Sequence, residues 1–183
     1  MTTTRCAYTT VLLPEPCRAA IVEHCRRKLA LELHRGEAAE RKAYGLLAGT
    51  VDGGIAEVAH VEPLRKNARG HGHFKRLMDA AMNAHAVASE TPLHRRGWVA
   101  DPRELFDALR AFQARGWQLI GTYHMHRVAW KHDPLRDTPT RLDHHLAAGS
   151  GLFVCIVSMV DPTHPRLRVF YEADPGQELS LRS

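Results

Sequence analysis

Trp117-Gln-Leu-Ile-Gly-Thr-Tyr123, followed at once by His124-Met-His126, is the stretch on which the fold turns. Residues 117–123 are a largely apolar run that starts after Gly116 and reads as a buried strand. Strands alternate their side chains, so His124 and His126 leave its end on the same face. Downstream, Leu152 to Val160 is a second apolar run, rich in Val and Ile, the pattern of a strand covered on both faces. Arg166 to Glu172 is expected to pair with it as the final strand, across an Asp161-Pro162 turn. Upstream, Tyr44-Gly-Leu-Leu-Ala-Gly49, the turn signal Val51-Asp-Gly-Gly54 and the alternating Ile55 to Val61 predict a hairpin over 43–62.

Helices fill the intervals. Residues 14–33 open with Pro14 and Pro16 and place Ala20, Ile21, Cys25, Leu29 and Leu33 near helical spacing, an amphipathic first helix. Phe74, Leu77, Met78, Ala81 and Met82 predict a second. Asp101-Pro-Arg-Glu104 has an aspartate cap, proline at the first helical position and glutamate three residues after the cap. That helix should carry Leu105, Leu109 and Phe112 inward and end near Gly116. Another helix starts at Thr140, after a charged, proline-containing loop. No repeat, low-complexity tract or linker divides the chain. The expectation is therefore one α/β domain over 1–183, a sandwich with a mixed central β-sheet flanked by helices.

The 183 residues are long enough to bury a core without disulfides, which excludes a small stapled scaffold. Net charge is +5, without a run of five like charges. The basic stretches Arg65-Lys66-Asn-Ala-Arg69 and His94-Arg-Arg96 lack interleaved aromatics and read as a solvated face, so no nucleic-acid partner is expected. Cys6, Cys17, Cys25 and Cys155 show no Cys-x-x-Cys pair and read as reduced thiols. The run Leu152 to Val160 is too short to span a bilayer and the sequence shows no signal-peptide pattern. A cytoplasmic location and no membrane partner are expected.

Histidine is the unusual residue: there are 13, and His124, His126, His132, His144 and His145 fall within 22 residues. Neutral imidazole is the commonest metal ligand, so such a cluster points to a metal. Scattered ones such as His24, His34 and His94 read as surface residues. Asp143, 17 residues after His126, sits one turn inside the helix that starts at Thr140. Two imidazoles and one carboxylate leave an open fourth position on a tetrahedral zinc, the arrangement used for hydrolysis. Thr140-Arg-Leu-Asp143 reads equally well as a capping signature that needs no metal.

The order of strand, His-x-His, loop, Pro139-Thr140-x-x-Asp143 at a helix start and apolar strand resembles the JAMM (MPN-plus) metalloprotease family. That family's motif is His-x-His-Pro, a short spacer and Ser-x-x-Asp, with a catalytic glutamate far upstream. The resemblance runs from the first helix through Tyr44 to Gly49, Asn67-Ala68 and Asp101-Pro-x-Glu104 to the strand at Leu152 to Val160. It implies a cytidine-deaminase-like fold and zinc held by His124, His126 and Asp143. Thr140 would replace the serine that helps hold the tetrahedral intermediate. The implied reaction is hydrolysis, by metal-activated water, at the C-terminal tail of a ubiquitin-like or sulfur-carrier protein; a homodimer is left open.

Four departures from that pattern stand out. Arg127 replaces the proline after the second histidine. The spacer from His126 to Thr140 is 13 residues, longer than the family's, so an insertion near 127–138 brings Trp130, His132 and Asp133 beside the metal. A further insertion near 70–96 adds the Phe74 helix. Lys42 stands where the family has its catalytic glutamate, three residues before Gly45. A lysine cannot take a proton from water as a carboxylate does. Two readings follow. In one, the chain is a peptidase in which Glu40, two residues earlier on the same strand face, is the catalytic carboxylate, with Glu62 as a second candidate. In the other, it is a metal-binding interaction module without the proton shuttle.

Overall fold

The computed structural model describes residues 8–89 and 91–183, and its layering follows from side-chain alternation along the central strands. The chain runs β1 (Thr10–Leu12), α1 (Glu15–Ala30), β2 (Tyr44–Asp52), β3 (Ile55–Pro63), α2 (Gly72–His85), α3 (Pro102–Gln113), β4 (Gln118–His126), α4 (Arg141–Ala147), β5 (Phe153–Ser158), β6 (Arg166–Tyr171) and β7 (Ser180–Arg182). Among the described residues the strands form one mixed sheet in the order β6-β5-β4-β2-β3-β1-β7. The pairs β4–β5, β1–β3 and β1–β7 are parallel. The pairs β2–β3, β2–β4 and β5–β6 are antiparallel.

Leu47 of β2 and Phe153, Cys155 and Val157 of β5 face α1, where Ile21 and Cys25 complete that core. Their neighbours point the other way: Leu46 and Ala48 pack on Ala108 and Phe112 of α3, and Val154 and Ile156 pack near Ala147 of α4. The sheet is thus buried on both faces, as the unbroken apolar runs require. On the α4 side, α2 packs through Met78 and Met82 against Leu142. The hairpin needs a glycine at one point. Gly49 lies where the β2–β3 register shifts, and a Cβ there would overlap the backbone carbonyl of Glu57.

Several expectations change. Arg166 to Glu172 is not the last strand, because β7 follows it and pairs with β1, a short strand that the sequence reading left out. Leu179 N donates to Val169 O (2.9 Å) and Tyr171 N to Gln177 O (2.9 Å), which draws the chain end back along β6. The first helix stops at Ala30 rather than 33, because Leu31 takes a left-handed conformation (φ 59°). Its buried stripe is Ile21, His24, Cys25 and Lys28, and Ala20 is exposed. His24 is therefore not a surface residue; its Nδ1 lies 2.7 Å from the Tyr123 hydroxyl. Lys28 is tolerated inside because its Nζ donates to Ala38 O at 2.6 Å.

In α3, Ala108 and Phe112 face the sheet while Leu109 stays exposed. Cys25 and Cys155 are core residues, and Cys6 lies outside the described residues. No helix among the described residues is long and apolar enough to cross a membrane.

Burial, with Arg27 adding to it, lowers the His24 pKa from 6.5 to about 4. Between those values the unfolded chain holds the extra proton, so stability is full above pH 6.5 and falls as pH drops toward 4. Between pH 7 and pH 5 this one group should remove about 2 kcal/mol of unfolding free energy. Denaturant titrations of the wild type and of His24→Gln at both pH values isolate the effect; an equal acid loss in the two proteins contradicts it.

Candidate metal centre

β4 delivers its last residues beside α4. His124 and His126 are two positions apart on one strand, and their Nε2 atoms meet at 3.1 Å. Asp143, at the third position of α4, reaches both: Oδ1 is 3.3 Å from His124 Nε2, and Oδ2 is 3.6 Å from His126 Nε2. One ligand atom from each of the three residues lies within 4.8 Å of the others. The group could therefore bind a metal ion, and its donor set of two imidazoles and a carboxylate suits a borderline divalent cation.

The carboxylate is held by its own helix start. Thr140 caps α4 and forms a full capping box with Asp143. Asp143 Oδ2 accepts from Thr140 N (2.6 Å) and from Thr140 Oγ1 (2.7 Å), while Asp143 N donates back to Oγ1 (3.2 Å). The capping reading of Thr140-x-x-Asp143 is therefore realised, in a geometry that also leaves Asp143 able to bind a metal ion. The Thr140 hydroxyl proton is directed at Asp143 rather than into open space. Burial works to raise the Asp143 pKa, but the charges and hydrogen bonds of His124 and His126 outweigh it and hold the carboxyl well below its ordinary value. For His126 burial dominates and pushes the imidazole pKa down, against the pull of Asp143. A neutral imidazole beside an ionised carboxylate is the state a metal needs.

Support for the imidazoles comes from Arg136 and Trp98, to which the sequence reading gives no role, and from Asp133, which it places in the inserted loop. His126 Nδ1 donates to the Arg136 carbonyl (3.1 Å), which fixes the tautomer with Nε2 toward Asp143. Arg136 presents that carbonyl from a left-handed backbone (φ 50°). Asp133 pins the turn, accepting from Arg136 N (2.9 Å) and from the Arg136 guanidinium (3.0 Å). His124 lies parallel to Tyr44, its register partner in β2, and Tyr44 lies parallel to Trp98. A left-handed arginine has no sequence signature, whereas the Tyr44–His124 pairing follows once the β2–β4 register is known.

The ligands open on a cleft of about 510 Å3 whose walls include Lys42, Tyr44, Arg96, Trp98, Trp130 and Arg136. Among the described residues Asp143 is the one carboxylate in its lining. Glu40 is not brought to the ligands. It lies in a bend ahead of β2 rather than on the strand, and its Oε2 binds Lys42 Nζ (2.7 Å) and accepts from Asn67 Nδ2 (3.0 Å). Lys42 also donates to Gly97 O (3.2 Å). Glu62 pairs with His60 on β3 (3.1 Å), away from the cleft lining. His132 and His145 are exposed and His144 Nδ1 bonds the Glu172 carbonyl, so none of them joins the ligand group.

No protein-family model matches the sequence, and no curated protein matches it. Solved structures do resemble the fold. One is the protein DSY2949 from Desulfitobacterium hafniense, with a TM-score of 0.59 and 22% identity over 94% of this chain and 90% of that one. A protein from Salinibacter ruber has a TM-score of 0.49 and 22% identity over 94% and 90% of the two chains. AF2198, a JAB1/MPN domain protein from Archaeoglobus fulgidus, has a TM-score of 0.40 and 14% identity over 95% and 99%. The first likeness shows the fold, and the chemistry of the site rests on its own residues.

If the Asp133–Arg136 turn orients His126, Asp133→Ala should weaken divalent-metal affinity roughly 10- to 100-fold while the fold persists. Competition against a metallochromic chelator measures this, with circular dichroism as the folding control; unchanged affinity removes the role.

Proposed function

We propose that the chain is a zinc-dependent hydrolase of the JAMM type, cleaving a peptide or isopeptide bond at the tail of a ubiquitin-like or sulfur-carrier protein. The observation that carries the reading is the convergence of His124 Nε2, His126 Nε2 and the Asp143 carboxylate at the wall of a substrate-sized cleft. Three protein ligands of this kind leave a coordination position free, the pattern of catalytic rather than structural zinc. When bound, zinc supplies a Lewis acid that acidifies water and polarises a carbonyl.

The residues around it divide the remaining tasks. His126 is locked by its Nδ1–H to the Arg136 carbonyl. Thr140 orients Asp143 with its hydroxyl and its backbone N–H. Tyr44 and Trp98 form an aromatic wall beside His124. In this reading proton transfer falls to Glu40, which would have to leave its ion pair with Lys42 (2.7 Å) to reach water on the metal. That same pair favours a second reading, a metal-binding interaction domain, because Glu40 is engaged by Lys42 and Asn67 and stands outside the cleft lining.

Purified protein should carry about one zinc per chain, and His124→Ala or Asp143→Asn should remove it; a chelator should lower the melting temperature. Elemental analysis finding no zinc in the wild type overturns the proposal. On a carrier protein extended at its C-terminus, Glu40→Gln should reduce kcat/KM by about 100-fold or more with zinc retained. Cleavage seen in Lys42→Glu and absent from the wild type decides for the interaction domain.

A further inference from the structure

The cleft beside the metal ligands is cationic to a degree that its metal does not explain. Arg41, Lys42, Arg95, Arg96, Arg127 and Arg136 all line it, and among the described residues the sole acid in the lining is Asp143. Asp143 is already committed to the histidines and Thr140. Two of the six cations have acidic partners: Lys42 pairs with Glu40 (2.7 Å) and Arg136 with Asp133 (3.0 Å). The other four form no ion pair among the described residues; Arg96 is half-buried while Arg41, Arg95 and Arg127 are exposed, so the lining carries a positive surplus. A bound divalent cation deepens it.

Arg96 is the focus of this surplus. It is half-buried, held in place by a hydrogen bond from Nη1 to Val87 O (2.8 Å), and its carbonyl is fixed by Arg69 Nε (2.9 Å). Its guanidinium carbon lies 5.9 Å from the centre of the Trp130 ring, and that of Arg136 lies 3.6 Å from the same ring. The Arg136 guanidinium is paired with Asp133, which leaves Arg96 as the guanidinium beside that indole with N–H donors still free for a planar anion. Burial and the neighbouring Arg136 both disfavour the charge of Arg96, a penalty that a carboxylate ligand relieves. Met78, Met82, Val128 and Leu146 add apolar wall between the charges. A mixed lining of that kind fits an extended peptide better than a small inorganic anion.

We propose that this cleft selects an acidic peptide segment, its carboxylates taken by Arg96 and Arg127 while the backbone lies along the metal ligands. The inference rests on the hydrolase reading for the fate of the peptide, but binding itself needs no turnover. The probe is a fluorescein-labelled heptapeptide of Glu and Gly residues, compared with its Gln counterpart by fluorescence anisotropy against the full chain, zinc-loaded and chelated. The Glu peptide should bind about 10-fold tighter or more, with an affinity that falls as salt rises. Arg96→Gln and Arg127→Gln should each weaken it by about 10-fold with zinc content unchanged. Arg110→Gln on α3, outside the cleft, should leave it unchanged.

Equal affinity for the two peptides overturns the proposal. So does an Arg110→Gln effect as large as that of Arg96→Gln, or displacement of the peptide by a tenfold lower concentration of a ten-residue oligothymidylate. Preference for the Glu peptide, in a protein that carries no zinc as purified and takes none up when zinc is added, upholds this inference and overturns the hydrolase reading.

Discussion

Asp143 carries two obligations at once, and the site depends on their compatibility. As a capping-box residue it accepts from Thr140 N and Oγ1 through Oδ2; as a member of the ligand group it faces His124 through Oδ1 at 3.3 Å. A capping interaction contributes on the order of 1 kcal/mol to a helix, which matters for α4, only seven residues long. The carboxylate is therefore fixed before any metal arrives. The imidazole nitrogens 3.1 Å apart and the carboxylate beside them form a triangle of acceptors that needs positive charge within it. A divalent cation would meet that need at all three corners.

The rest of the fold keeps that triangle in register. β4 lies inside the sheet, parallel to β5 and antiparallel to β2, so its histidines project from a strand fixed on both sides. Gly121 lets Phe153 pack directly on the β4 backbone, since a Cβ there would come within 2.6 Å of the ring. The last link is Met159 N, which donates to His126 O at 2.7 Å. Strand placement thus sets His126 from one side, and the Arg136 carbonyl sets it from the other. A ligand restrained at both backbone and ring loses little entropy on binding metal, which is the physical content of preorganisation.

What could be read in the sequence was whatever local chemistry writes there. The hairpin, β4, β5 and the caps at Asp101 and Thr140 come from alternation, turn residues and cap residues acting over a few positions. So does the shared face of His124 and His126. The short strands β1 and β7 were missed because three residues carry too little pattern and their parallel partners are distant in sequence. His24 and Lys28 were hidden because a polar residue enters a core only when a remote group receives it, here Tyr123 and Ala38. Glu40 is hidden for a related reason: the alternation of β2 does not extend back through the bend that Lys42 and Asn67 hold in place.

Lys42 is the residue whose charge most needs explaining, and its neighbours explain it. An ammonium directed at a metal site would oppose the cation at every distance. Here Nζ is drawn to Glu40 Oε2 and Gly97 O, and Asn67 Nδ2 donates to the same two groups, at 3.0 and 3.4 Å. Asn67 Oδ1 also accepts from Val99 N and Arg69 N, each at 3.0 Å. Lysine, glutamate and asparagine together stitch the approach to β2 onto the 97–99 segment, close to Trp98 and Arg96. The charge at position 42 is thereby balanced within the wall, and the uncompensated charge of the cleft moves to the arginines. A catalytic carboxylate at this position would have added an anion to the cleft, whereas the lysine–glutamate pair leaves the lining with more basic than acidic side chains among the described residues.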